Sequence, residues 1–275
     1  MSTPPETSAS TFDLTVLTHR IRVAHRAGTS TMQPPLVLLN GIGARLELLQ
    51  PFVDQVDPAI PVIRFDVPGV GGSGRPRFPY RLSGLAVLAQ RLVTRLGYRH
   101  ADVLGISWGG GLAQQWALQS PRFCRRVVLC ATATGSVMVP ARLDVLSKMI
   151  TPHRYKDPLY AQKVAANLYG GALREQPELA GRLLGALPSS GQRWGYCCQL
   201  TSGAGWTSLP FLPLLRQRTL ILAGEDDPII PPVNARIMAS LIPHATLRSY
   251  PDGHLGLVTL ADVLGPEVSD FLLAD

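Results

Sequence analysis

The chain has 275 residues, 46% hydrophobic and 16% charged, a balance that excludes a disordered chain and allows one large α/β domain or two ordinary ones. Its formal charge of +7 comes from scattered arginines and not from a basic stripe with interleaved aromatics, so nucleic acid is not an expected partner. No apolar run reaches transmembrane length, and residues 1–8 have neither a basic nor an apolar signal region, so a cytoplasmic protein is expected.

Residues 1–11 read as a disordered tail. Two strands, 12–17 and 20–25, follow as a hairpin, and Leu36-Val37-Leu38-Leu39 is a buried-type strand that ends at Asn40-Gly41. A helix-like segment covers 44–52. The strand 62–65 runs into Asp66 and the glycine loop Gly69-Val70-Gly71-Gly72-Ser73-Gly74. That loop lacks the prompt helix of a dinucleotide site, and no cofactor is expected. An amphipathic helix, 82–96, stops at Gly97.

The next unit is the most informative. A short apolar strand, 101–106, leads into Gly105-Ile106-Ser107-Trp108-Gly109, and a helix with apolar positions at Leu112, Ala113, Trp116 and Ala117 follows. Strand, G-x-S-x-G, helix is the order of a nucleophile elbow, a crowded turn that lifts one serine hydroxyl above the end of a sheet. Further strands are read at 126–131, 219–223 and 246–250. The last helix, 257–273, is expected to break near Gly265-Pro266.

Residues 136–217 contain no good strand. They hold helix-like pieces and large apolar side chains, among them Met138, Met149, Trp194, Trp206 and Phe211. Lying between the elbow half and the later sheet half, this stretch reads as a helical cap inserted into a core of 12–135 and 218–275. Alternating strands and helices imply a mostly parallel sheet with helices on both faces.

A serine nucleophile needs a base, and the base needs an orienting acid. His254 follows the last strand and shares the elbow's sheet edge, whereas His153 falls in the cap and His244 precedes the last strand. Among Glu225, Asp226 and Asp227, the spacing from Gly224 and the restraint of Pro228 favour Asp227 over Asp226. Oxyanion donors are expected at the backbone N–H groups of Trp108 and Ile42. Asp66 is read as a brace of the glycine loop and Asn40 as a brace of its own loop. Cys124, Cys130, Cys197 and Cys198 have neither metal-ligand nor disulfide-scaffold spacing and read as reduced, buried thiols. The histidines are isolated from clustered carboxylates and thiols, so no metal is expected.

With these residues in place, the chain resembles the α/β-hydrolase superfamily over nearly its whole length. More narrowly it resembles the intracellular medium-chain-length poly(3-hydroxyalkanoate) depolymerases. The likeness rests on Leu39-Asn40-Gly41-Ile42-Gly43-Ala44, Phe65-Asp66-Val67-Pro68-Gly69-Val70-Gly71-Gly72-Ser73, Ser107-Trp108-Gly109-Gly110, Leu168-Tyr169-Gly170-Gly171 and Gly205-Trp206-Thr207-Ser208. It implies an eight-stranded sheet, a Ser107–Asp227–His254 triad, cleavage of a stored polyester, and residence at cytoplasmic granules. Ser107 stands where the related polymer synthases carry Cys. Cap aromatics favour an apolar acyl chain, with Met138, Trp194 and Trp206 as candidate contacts. Fold and triad do not fix a substrate. A small-molecule carboxylesterase or C–C bond hydrolase is the alternative, and a non-catalytic granule protein is a third reading that an intact triad opposes.

Overall fold

The computed structural model describes residues 9–149, 153, 157–184 and 192–274. Eight strands form one sheet in the order β1-β2-β4-β3-β5-β6-β7-β8. They are β1 (Ser10–Val16), β2 (His19–Arg26), β3 (Leu36–Leu39), β4 (Val62–Phe65), β5 (Ala101–Ile106), β6 (Cys124–Cys130), β7 (Arg218–Gly224) and β8 (Ala245–Tyr250). β1 and β2 pair antiparallel, β2 also meets β4 antiparallel, and every later pairing is parallel. Residues 1–8 of the expected tail lie outside the described residues. Ser10 and Thr11, assigned to that tail from sequence, instead pair with His25 and Ala24 in the hairpin.

The interior strands are mostly apolar because both faces are covered, with Arg64, Asp102 and Arg126 as buried charged exceptions. Alternation decides which cover each residue meets. Val37 and Leu39 of β3 join Val103, Val127 and Leu129 on one face. That face is covered by α2 (Leu82–Arg95), α3 (Trp108–Gln119) and α9 (Val233–Leu241). Leu36 and Leu38 join Leu104, Val128 and Leu222 on the other face. There the cover is α1 (Gln50–Gln55), α10 (Gly256–Thr259) and α11 (Ala261–Leu273).

The segment expected as one helix over 44–52 divides into a 3-10 turn, Leu46–Leu49, and α1, whose second residue is Pro51. The break in the terminal helix falls at Leu260 and not at Gly265-Pro266. Pro266 stays in α11 because it lies on the exposed face, where water can satisfy the Asp262 carbonyl that loses its N–H partner. Gly265 serves a different purpose, since a Cβ there would lie 2.5 Å from the Gln55 Cβ of α1.

Between β6 and β7 the described chain forms α4 (Leu143–Met149), α5 (Pro158–Tyr169), α6 (Ala172–Glu175), α7 (Pro177–Leu184), α8 (Gln192–Ser202) and a 3-10 helix, Leu209–Leu214. α4, α5, α7 and α8 contribute to a third apolar cluster, which also takes in Ile42, Ile229 and Leu255 from loops at the sheet edge. One isolated bridge, Gly135 to Thr207, closes the two ends of this excursion.

Sheet order sets the position of the site. The chain passes from β3 to β4 on one side and then crosses to β5 on the other side of β3. Ligands of open α/β sheets bind in the crevice at the carboxyl ends of the strands flanking such a switch point. The loop after β3 and the turn after β5 are therefore neighbours, with Leu39 paired to Gly105.

Candidate active site

Ser107 has φ 56° and ψ −123°. A positive φ is uncommon for a side-chain-bearing residue, and it persists only where surroundings enforce it. They do so here. The Ser107 N–H donates to the Cys130 carbonyl at 3.0 Å, and its own carbonyl accepts from the Gly110 N–H at 2.9 Å and Thr132 Oγ1 at 2.7 Å. A Cβ on Gly105 would sit 2.3 Å from the Gly109 carbonyl oxygen, and one on Gly109 would sit 2.0 Å from the Leu39 carbonyl oxygen. These obstacles are backbone atoms that cannot rotate away, so the flanking glycines are required by the closeness of β3, β5 and α3.

His254 and Asp227 are brought together by the parallel pairing of β7 and β8, which ends at Gly224 and Tyr250. The His254 Nδ1–Asp227 Oδ2 distance is 2.8 Å, with both residues buried. The second oxygen, Asp227 Oδ1, accepts from the Ile229 and Ile230 N–H groups at 2.9 Å each. This carboxylate is thus fixed in orientation before it meets the imidazole. Burial keeps nearby Tyr250 protonated well above its ordinary range and pushes the Cys130 thiol up to about 12, so neither carries a charge beside Asp227. Ser107 and His254 line one small cavity with Asn40, Gly41, Ile42 and Tyr169.

Asp226 faces the other way. It holds Arg174 of α6 at 2.9 Å and accepts the Gly171 N–H at 2.8 Å. Asp252 accepts from the Gly253 and Ala172 N–H groups and from Thr259 Oγ1. The Tyr169 carbonyl receives the His254 N–H at 2.7 Å. The backbone from Tyr169 to Ala172 therefore docks directly on the two loops that carry the acid and the histidine. Gly170 and Gly171 permit that approach, since side chains there would collide with the Asp226 carbonyl and the Asp252 carboxylate.

The Ile42 loop and the Trp108 N–H flank the serine. Trp108 is the first residue of α3, where the helix geometry leaves its N–H without an intrahelical acceptor. Asn40 Nδ2 donates to the Arg45 carbonyl at 2.6 Å and its Oδ1 accepts the Gly41 N–H at 3.0 Å. Asp66 accepts from the Leu46 and Gly72 N–H groups, each at 2.8 Å, so it ties the glycine loop to the segment after β3. Burial raises the Asp66 pKa against these stabilising contacts.

Met138 and Trp206 line a second cavity of about 130 Å³ that also includes Ser107 and Trp108. Trp194 is placed elsewhere: its Nε1 donates to the Pro76 carbonyl at 2.9 Å and its ring lies 5.8 Å from the Arg75 guanidinium. Gln199, which the sequence reading passed over, accepts the Gly43 N–H at 2.8 Å through Oε1 and the Trp108 indole at 3.0 Å through its carbonyl. The expectation of four buried thiols also needs correcting, since Cys197 is exposed on α8 while the other three are buried. Among the described residues, no helix is long and apolar enough to cross a membrane.

Comparison with known proteins places this geometry in a family. Residues 34–259 match the family described as alpha/beta hydrolase fold. A poly(3-hydroxyalkanoate) depolymerase of Ectopseudomonas oleovorans is 48% identical over 252 residues, covering 92% of this chain and 88% of the relative. The 3-oxoadipate enol-lactonase 2 of Acinetobacter baylyi is 27% identical over 82% of this chain and 84% of its own length. Among solved structures, the enol-lactonase from Burkholderia xenovorans LB400 superposes with a TM-score of 0.81 at 21% identity, covering 94% of this chain and 99% of that one, a likeness of fold alone. The chain, with its strained serine between β5 and α3 and its eight-stranded, mostly parallel sheet, belongs to the alpha/beta hydrolase fold family.

Proposed function

We propose that the protein is a serine hydrolase that cleaves the ester bonds of poly(3-hydroxyalkanoate) with medium-length side chains. The 48% identity to a poly(3-hydroxyalkanoate) depolymerase across 92% of the chain carries the substrate reading. The 2.8 Å His254–Asp227 contact beside a strained Ser107 supports the chemistry.

In this mechanism His254 Nε2 takes the Ser107 proton as Oγ attacks the ester carbonyl. Asp227 holds the imidazole in the tautomer that leaves Nε2 free to accept, and it stabilises the imidazolium without taking the proton itself. Charge on the carbonyl oxygen is met by the Ile42 and Trp108 N–H groups, each worth about 2.7–4 kcal/mol in such a site. The carbon–oxygen bond then breaks, and His254 returns the proton to the leaving alcohol. Water, deprotonated by His254, attacks the acyl-enzyme and releases a 3-hydroxy acid or oligomer.

Residues 136–217 act in this proposal as a cap over the core of 12–135 and 218–275. Met138 and Trp206 supply apolar contacts to the acyl chain. The cavity of about 130 Å³ beside Ser107 takes an apolar part of the substrate in this proposal, and motion of the cap widens the approach to it. Leu143 and Leu159, which are 84% and 75% exposed, give that side of the molecule an apolar surface for an insoluble polymer and its granule in the cytoplasm.

A second reading, a small-molecule esterase or C–C bond hydrolase, draws support from the enol-lactonase relative. Rates on emulsions of medium- and short-side-chain polyester, set beside soluble short-chain esters, separate the two. Turnover of soluble esters with none on either polymer would overturn the depolymerase reading.

A further inference from the structure

The turn after β3 is closed by the Ala44 N–H donating to the Gly41 carbonyl at 3.2 Å, and its third residue, Gly43, has φ +74°. That is the left-handed value a type II turn demands at this position. Glycine takes either sign of φ at little cost, so the Ile42–Gly43 peptide can rotate unless something holds it. Its N–H is held by a residue 156 positions away, Gln199 Oε1 on α8, at 2.8 Å. The same residue's carbonyl accepts the Trp108 indole at 3.0 Å and Ser202 Oγ at 2.7 Å. Gln199 is 1% exposed. One buried side chain and its own carbonyl thus touch the peptide that follows Ile42 and the ring of Trp108.

α8 is itself seated firmly. Gly195 packs backbone to backbone on Gly69, where a Cβ would lie 1.9 Å from the Gly69 carbonyl oxygen. Trp194 adds its hydrogen bond to the Pro76 carbonyl.

We propose that Gln199 is the positioning residue of the oxyanion hole: it fixes the Ile42–Gly43 peptide and the Trp108 side chain, and it makes a docked α8 a condition of catalysis. The inference rests on the serine hydrolase reading above. It also implies that any opening of the cap comes from α4 to α7, with α8 remaining in place as a wall of the site.

The test uses the full chain with Gln199→Leu, which removes the amide acceptor and keeps the backbone carbonyl. Steady-state kinetics on a soluble nitrophenyl ester are paired with a fluorophosphonate. Ser107 Oγ forms a P–O bond as the P–F bond breaks, with fluoride leaving and the serine proton passing to His254. The phosphonylation endpoint counts folded sites, while its rate reads stabilisation of the oxyanion.

For Gln199→Leu, kcat and the phosphonylation rate fall about ten- to a hundred-fold, the scale of a 1 Å misplacement. KM stays within about two-fold, because the lost interaction is made in the transition state. The endpoint remains one per chain. A Gln199→Leu protein with full kcat, or one whose kcat and endpoint fall in proportion, would overturn the proposal. Ser107→Ala separates the two levels: turnover surviving in that variant means the triad reading has failed, whatever Gln199 does.

Discussion

Replacing Asp227 by Asn tests the acid assignment with little change of shape. The Asn carbonyl can still accept the Ile229 and Ile230 N–H groups that now bond Asp227 Oδ1 at 2.9 Å. Its amide nitrogen must then face His254 Nδ1, where the carboxylate oxygen stands 2.8 Å away. A donor at that point forces Nδ1 to accept and moves the imidazole proton to Nε2. The histidine can then no longer take the serine proton. In a Ser–His–Asp triad the wrong tautomer costs about 10⁴ in kcat, or about 5.4 kcal/mol at 1.36 kcal/mol per decade. Asp226→Asn is the matched control, because it changes a side chain that bonds Arg174 and Gly171 and does not contact the imidazole. Its kcat should stay within a few-fold of wild type. The assay is steady-state hydrolysis of a soluble nitrophenyl ester, with melting temperatures to establish folding. A folded Asp227→Asn enzyme within ten-fold of wild type, or a larger loss from Asp226→Asn, would refute this reasoning.

Gly105→Ala places a Cβ 2.3 Å from the Gly109 carbonyl oxygen and 2.6 Å from the Gly110 Cα. Overpacking of this kind costs about 1–3 kcal/mol or more, so the midpoint of urea unfolding should drop, while the helical surface control Gly84→Ala, with open space around its Cβ, should hold or raise it, since Ala favours a helix over Gly by about 1 kcal/mol. An aromatic disulfide reagent should titrate Cys197 rapidly in the native protein and the remaining thiols only in denaturant, because burial shields Cys124, Cys130 and Cys198 and raises their pKa values. Fast reaction of all four in the native state would contradict the packing of β6 and α8. Burial opposes ionisation of Asp226, but the Gly171 N–H and Arg174 outweigh it and hold its pKa below the usual carboxylate range. A depressed folded-state pKa means the stabilising link is complete above the unfolded value of about 3.9 and is lost as pH falls through the folded value. The melting-temperature advantage of wild type over Arg174→Ala should therefore persist from pH 7 to about pH 5 and disappear in more acidic buffer.

The sheet was legible because its interior strands are covered on both faces. β3, β4 and β5 stand out as short apolar runs, and their observed limits coincide with those read from the chain. The elbow was legible because its glycines answer a steric demand that few other residues can meet. Asp227 could be preferred to Asp226 only through its spacing from Gly224 and the adjacent Pro228. The structure adds what spacing cannot express, two N–H donors on one side of Asp227 and an arginine drawing Asp226 away. The α4–α8 region was legible only as helical, because short helices that pack on one another carry weak periodicity. Gln199 left no signal: a lone glutamine on a helix reads as a solvated side chain, and its role depends on a contact 156 residues distant. The bond from the Trp194 indole to the Pro76 carbonyl was hidden for a related reason, since it joins α8 to a glycine loop 118 residues away.

The central claim is that Ser107 opens the ester bonds of a poly(3-hydroxyalkanoate). The most direct measurement is the release of 3-hydroxy acids from an emulsion of the medium-side-chain polymer by wild type and by Ser107→Ala, each with a matched melting temperature. Steady release by wild type and background release by Ser107→Ala are the results expected of this assignment. Equal release by both proteins would contradict it, as would a folded wild-type enzyme that leaves the polymer intact.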